Sequence, residues 1–169
     1  DGGRPAGLFT GYYEAELRGA WTRHGLYQTP IYARPPELGA VVPYHVRARI
    51  DGGILAGRGL ELLWARDPVD VFFLHIQGSG RVVMEDGTVV RLGYGGDNGH
   101  PYFAIGRELV ARGAIAKDAV SMQSIRAWIK ANRAEAAAVM ALNPRFIFFR
   151  RVTGAGPIGA LGVPLTPGR

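Results

Sequence analysis

Val69-Asp70-Val71-Phe72-Phe73-Leu74-His75-Ile76-Gln77-Gly78-Ser79-Gly80 is the stretch on which the reading of the fold turns. Its first part is apolar except for Asp70 and His75, and rich in β-branched and aromatic side chains. A short run of that composition predicts a buried strand over 69–76. On a strand, Phe73, His75 and Gln77 share one face and Phe72, Leu74 and Ile76 the other. His75 then reads as a hydrogen-bonded wall residue or as a ligand contact. The run stops on Gln77 and Ser79, each beside a glycine. Gln77 offers an amide donor pair and a carbonyl acceptor, and Ser79 a hydroxyl. Gly78 and Gly80 let a neutral polar ligand approach the main chain. Such a surface suits a sugar better than a phosphate or a metal, and its alternative is an ordinary tight turn beside a barrel strand.

Working outward, two β-branched runs at 81–84 and 88–92 flank Glu85-Asp86-Gly87, which predicts a hairpin. Residues 25–32 read as a short aromatic strand closed by Arg34-Pro35-Pro36, and residues 8–13 as a strand edge. Helix is expected only after Gly99: first over 102–111, then over 122–130 behind Ser121 as N-cap. A third is expected over 133–142, with Asn132 and Glu135 as a second cap and Asn143-Pro144 as its stop. Phe146-Ile147-Phe148-Phe149 returns to strand. The pattern is that of a barrel or sandwich rather than alternating strands and long helices. A β-rich, glycine-rich block is placed at 15–114, with a helix pair and further strands after it, and the opening residues 1–14 could pair with either.

Composition bounds the classes of function. The 169 residues are 47% apolar, enough for one large domain or two small ones. There is no Cys, so disulfide and thiolate chemistry are excluded. Lys plus Arg exceed Asp plus Glu by 20 to 14, giving +6. The positive charge is almost all Arg, scattered singly rather than gathered in a stripe beside aromatics, which argues against a nucleic-acid partner. No window resembles a transmembrane segment. Asp1-Gly2-Gly3-Arg4 lacks an initiating Met and reads as a start inside a longer chain.

The chemical motifs narrow the field further. His24, His45, His75 and His100 have no partner at metal-ligand spacing, so neither a metal nor a cofactor is expected. Gly78-Ser79-Gly80 lacks the strand-to-helix nucleophile elbow of a serine hydrolase. A glycosidase needs carboxylates about a sugar ring. The candidates are Glu14, Glu16, Glu61, Asp67, Asp70, Asp97 and Glu108, of which Glu14, behind two tyrosines, and Asp70 are the best placed. The remaining polar set is Thr10, Tyr12, Tyr13, Gln77, Ser79, Tyr94, Asn98 and Gln123. Flat rings stack on pyranose faces and amides bond hydroxyls, which is the profile of a saccharide groove.

A longer pattern then resembles a known family. Phe9-Thr10-Gly11-Tyr12-Tyr13-Glu14 with Leu17-Arg18-Gly19, and Tyr27-Gln28-Thr29-Pro30-Ile31-Tyr32, are similar to the opening of the MltA family of lytic murein transglycosylases. So are Trp64-Ala65-Arg66-Asp67-Pro68-Val69-Asp70 and the stretch from Phe72 to Gly80. Gly93-Tyr94, Asn98-Gly99-His100-Pro101-Tyr102, Ile105-Gly106, Ser121-Met122-Gln123-Ser124-Ile125-Arg126 with Trp128, and Asn143-Pro144-Arg145-Phe146 with Phe148-Phe149 continue the series in order.

The resemblance implies an enzyme that cleaves the β-1,4 bond from N-acetylmuramic acid to N-acetylglucosamine in peptidoglycan. The muramyl 6-hydroxyl closes on C1 and leaves a 1,6-anhydro end, with one Asp as acid and then base. It implies an inserted small β-barrel domain (15–114) plus an incomplete double-psi β-barrel domain with a few helices, built from 1–14 and 115–169. Periplasmic location at the outer membrane also follows from the resemblance alone. The family's catalytic Asp lies in an Asp-Thr-Gly-Gly-like stretch that this sequence lacks. It is therefore expected beyond Arg169, with no catalytic residue here and the missing C-terminal part of the same enzyme as a partner. Thr10 and Gln77 are expected to line the glycan groove, with Tyr12, Tyr13, Ser79, Tyr94, Asn98 and Gln123 beside them. Two other classes stay open: a non-catalytic saccharide-binding module, and a structural or protein-interaction barrel.

Overall fold

The computed structural model describes residues 14–153. Thr10, Tyr12, Tyr13 and the strand expected at 8–13 lie outside the described residues. The fold is mainly β, with a few helices. Its strands are β1 (Ala15–Ala20), β2 (Thr29–Tyr32), β3 (Glu61–Ala65), β4 (Gly80–Met84), β5 (Val89–Asp97) and β6 (Ile147–Val152). They follow the order β2-β3-β1-β4-β5-β6 in one sheet. The helices are α1 (Arg47–Asp51), α2 (Pro68–Gln77), α3 (Ile105–Ala111), α4 (Met122–Ala131) and α5 (Arg133–Ala141). The chain divides into two compact units. The first takes the described residues up to 29, 63–94 and those from 150; the second takes 30–62 and 95–149. This partition interleaves the 15–114 block with later chain.

In the first unit β1 is the middle strand. It pairs antiparallel with β3, Gly19 opposite Ala65, and parallel with β4 from Ala15 opposite Gly80 to Gly19 opposite Met84. Strand β4 turns at Asp86-Gly87 into β5, antiparallel, as the hairpin pattern predicts. Gly87 takes the positive φ of 90° that this turn requires. Alternation sorts the side chains: Leu17, Val82 and Leu92 are buried, whereas Glu16 and Arg18 face out.

The strand expected at 69–76 is instead the helix α2. The Asp67 carboxylate accepts a hydrogen bond from the Val69 N–H at 2.9 Å, and Pro68 supplies the fixed φ of a first helical residue. Gly78 closes the helix in the left-handed conformation at φ 84°, its N–H donating to the Leu74 carbonyl at 2.8 Å. Val69, Val71, Phe72, Phe73, Leu74 and His75 are all buried, and only Pro68, Asp70, Ile76 and Gln77 reach solvent, so the polar face is too narrow to give the sequence a clear helical period. The two-faced reading of residues 72–77 falls with the strand. So does the expectation that helix begins only after Gly99, because α1 and α2 both precede it. Within 25–32 only Thr29–Tyr32 is strand; His24 and Tyr27 close an isolated antiparallel bridge before it.

The second unit packs Tyr32, Tyr44, Ile50, Leu55, Phe146 and Phe148 into one apolar cluster. Helix α4 begins at Ser121 as expected, with a full capping box: Ser121 Oγ accepts from the Ser124 N–H at 3.0 Å and Ser124 Oγ from the Ser121 N–H at 2.9 Å. Asn132 stands at the N-cap position of α5 as expected and also closes α4, but its side chain makes no capping bond to α5; its amide donates back to the Trp128 carbonyl at 2.8 Å.

Candidate functional site

The end of α2 and the start of β4 gather the polar groups of the first unit. After Gly78 the chain leaves the helix, with Gln77 partly exposed and Ser79 exposed. Gly80 then enters the sheet where a side chain has no room. A Cβ there would lie 2.7 Å from the Ala15 carbonyl oxygen and 2.7 Å from a Leu74 methyl. That close approach aligns Gly80 with Ala15 on one side and with Leu92 on the other. Glu14 precedes Ala15, Ser79 precedes Gly80, and Gly93-Tyr94 follow Leu92. Register alone thus brings Glu14, Ser79 and Tyr94 to one end of this sheet, beside Gln77 on the last turn of α2.

Arg91 sets the charge of this end. Its guanidinium donates to the Glu14 carboxylate at 2.6 Å, with both side chains about a quarter exposed. The pair is charge-compensated. The site therefore offers a hydroxyl, an amide and a half-exposed tyrosine around a neutralised ion pair. It suits a neutral hydroxylated ligand, and sequence reasoning missed Arg91. The available signal was the period of two that puts Arg81, Arg91, Glu14 and Glu16 at outward positions of neighbouring strands.

The other expected site residues lie elsewhere. Asp70 sits in the first turn of α2 and His75 in its last turn, where it is buried. Gln123 is exposed on the first turn of α4, in the second unit. Asn98, also in the second unit, is 3% exposed and works as a brace. Its amide donates to the His45 carbonyl at 2.9 Å and the Pro144 carbonyl at 2.8 Å, and its oxygen accepts from the Phe146 N–H at 2.9 Å. Both amide hydrogens are thereby committed to backbone. Among the described residues no group of three or more His, Cys, Asp or Glu side chains could hold a metal ion. No helix of the described residues is long and apolar enough to cross a membrane.

Comparison with known proteins agrees with the motif series. The model of the MltA specific insert domain matches residues 8–150, reaching beyond both ends of the 15–114 block. The membrane-bound lytic murein transglycosylase A of Escherichia coli strain K12 is 38% identical over 159 residues, which are 93% of this chain and 42% of that protein. Among solved structures, the lytic transglycosylase LtgG of Burkholderia pseudomallei is 48% identical with a TM-score of 0.80, over 95% of this chain and 48% of that one. The structure of E. coli MltA with bound chitohexaose is 37% identical with a TM-score of 0.82, over 92% of this chain and 46% of that one. The chain spans less than half the length of these relatives.

Proposed function

From a chain that belongs to the MltA family, we propose the glycan-binding part of a peptidoglycan lytic transglycosylase. Its homologues are lytic murein transglycosylases A. The observation that carries the reading is the Gln77-Gly78-Ser79 turn, exposed beside the Glu14–Arg91 pair, in a chain whose relative was solved with chitohexaose. Gln77, Ser79 and Tyr94 contact the glycan, and Thr10, Tyr12 and Tyr13, outside the described residues, are proposed as contacts on the family resemblance alone.

In this reading the enzyme cleaves the bond from N-acetylmuramic acid to N-acetylglucosamine, with the muramyl 6-hydroxyl attacking C1. The Asp that protonates the leaving oxygen and then deprotonates that hydroxyl belongs to the part of the parent that this chain does not span. This chain orients the strand. Glu14 is held by Arg91, and its charge stabilises the end of the sheet. The parent works in the periplasm at the outer membrane.

Titration of the chain with chitohexaose, followed by amide NMR shifts, tests the binding half. Shifts are expected at Gln77, Gly78, Ser79 and Tyr94; shifts confined to other residues would refute the site. Digestion of purified sacculi tests the chemistry. The chain alone is expected to release no 1,6-anhydromuropeptides by mass spectrometry, and the full-length parent to release them. Anhydro products from the chain alone would move catalysis to a local carboxylate such as Glu14 or Asp70.

A further inference from the structure

The outward face of the first unit's sheet carries two rows of side chains that differ in charge. One row runs across Glu16 on β1, Arg81 on β4 and Arg91 on β5, which are direct partners in the ladder. Arg81 and Arg91 oppose each other, and like charges directly opposite are destabilising. Here the repulsion is cancelled. Arg81 donates to Glu16 at 2.7 Å and Arg91 to Glu14 at 2.6 Å.

The next row has a second opposed arginine pair. Gly19 faces Ala65 and Ala20 faces Trp64, so Arg18 faces Arg66, and the Arg66 N–H donates to the Arg18 carbonyl at 3.0 Å. Both side chains are exposed. Among the described residues, neither has a carboxylate partner. Val83 and Val89 continue the row on β4 and β5. Trp64 shares the face of Arg66 by the period of two, and the Arg23 guanidinium lies 5.7 Å from its ring centre. One sheet therefore neutralises one arginine pair and leaves the equivalent pair open beside apolar groups.

We propose that Arg18 and Arg66 form a carboxylate-binding surface for the peptides that a peptidoglycan strand carries. Two guanidiniums on adjacent strands can clamp one carboxylate in bidentate fashion, and Trp64 with Val83 supports the short apolar side chains of such a peptide. The inference rests on the proposed reading of this chain as a peptidoglycan binder. It assigns the peptide to a different surface from the Gln77-Ser79 turn that meets the sugar.

The test compares the parent chain with the Arg18→Gln/Arg66→Gln double variant by calorimetry and NMR. The probes are neutral chitohexaose, a disaccharide tetrapeptide muropeptide and the free tetrapeptide. The double variant is expected to bind the muropeptide about tenfold more weakly and chitohexaose unchanged. The muropeptide is expected to shift Arg18, Arg66 and Val83, and the loss is expected to shrink in high salt. Because the substitution relieves a like-charge contact, the variant's Tm is expected not to fall, which separates lost binding from lost folding. Equal muropeptide affinity in both proteins overturns the proposal, as does a variant that loses chitohexaose too. Arginine-dependent sedimentation with anionic phospholipid vesicles, without any muropeptide shift, overturns it in favour of a membrane surface. A parent that binds muropeptide and free tetrapeptide but not chitohexaose leaves this surface standing and refutes the sugar site instead.

Discussion

The two units hold themselves together by different means. The first is ordered by alternation: Leu17, Val82, Met84, Leu92 and the side of α2 are buried, and charges stay outside as cross-strand pairs. The second buries polar groups and uses them as fasteners. Arg47, Asn98 and Asn143 are each 3% exposed or less, and all three bond backbone carbonyls or amides of segments distant in sequence. Arg47 Nε donates to the Asn143 carbonyl at 2.9 Å, and Asn143 Oδ1 accepts from the Phe103 N–H at 3.1 Å. Burial lowers the Arg47 pKa to about 10, so the group is still charged at neutral pH. Repetitive structure satisfies its own backbone, whereas irregular segments borrow side chains to do so. The lesson is that the first unit leans on the fit of alternating side chains, whereas the second adds buried side-chain hydrogen bonds to its apolar cluster.

The sharpest challenge to that contrast is Asn98→Ala. It strips partners from three backbone groups, His45, Pro144 and Phe146, in two distant segments, and an expected loss of about 3 kcal/mol follows, read by urea denaturation. A loss of under about 1 kcal/mol would show that the braces are incidental and would erase the contrast. Gly80→Ala probes the other side by steric means. With a Cβ forced to within 2.7 Å of the Ala15 carbonyl, it is expected to cost about 2 kcal/mol although it removes no hydrogen bond. An unchanged Tm would mean that the first unit tolerates poor fit.

Alkali separates the units by chemistry. Burial and the hydrogen bond to Glu37 push the Tyr44 hydroxyl of the second unit from 10.0 up to about 12. Below pH 10.0 the group is neutral in both folded and unfolded chains, so its contribution is complete. As pH rises from 10.0 to about 12 the unfolded chain ionises first, and that stability drains away. Thermal melts across this range are expected to fall less steeply for Tyr44→Phe; parallel curves would remove Tyr44 from the account. The smallest effect is expected for Arg81→Ala, which opens an exposed pair to Glu16 and should leave melts at low salt nearly unchanged. A larger loss would place hydrogen bonding on a par with fit in the first unit as well.

Legibility in the sequence followed the same divide between local and distant causes. The Asp86-Gly87 hairpin and the Ser121 cap are written in adjacent residues, and both form as read. Helix α2 carried its own stop and start signals in Asp67-Pro68 and Gly78. They were overridden by a β-branched, aromatic run whose burial over residues 71–75 obscured the helical period. Gln77 and Ser79 were legible as exposed polar groups beside glycines, but not Arg91, whose partner Glu14 is 77 positions away. Asn98 looked like a ligand group because an amide beside a glycine reads the same in either role. Its commitment to His45 and Pro144 depends on chain that only folding brings near.

The central position of β1 has a consequence for synthesis. Its parallel partner β4 lies 65 residues further along the chain. At ordinary elongation rates of about 5–20 residues per second, β1 leaves the ribosome roughly 3–13 seconds before β4 is available. Throughout that interval it is a strand with one apolar side and unsatisfied edges, competent to pair with any other nascent chain. The outward Glu16 and Arg18, one of each sign, keep that waiting strand soluble before they serve any ligand or ion pair.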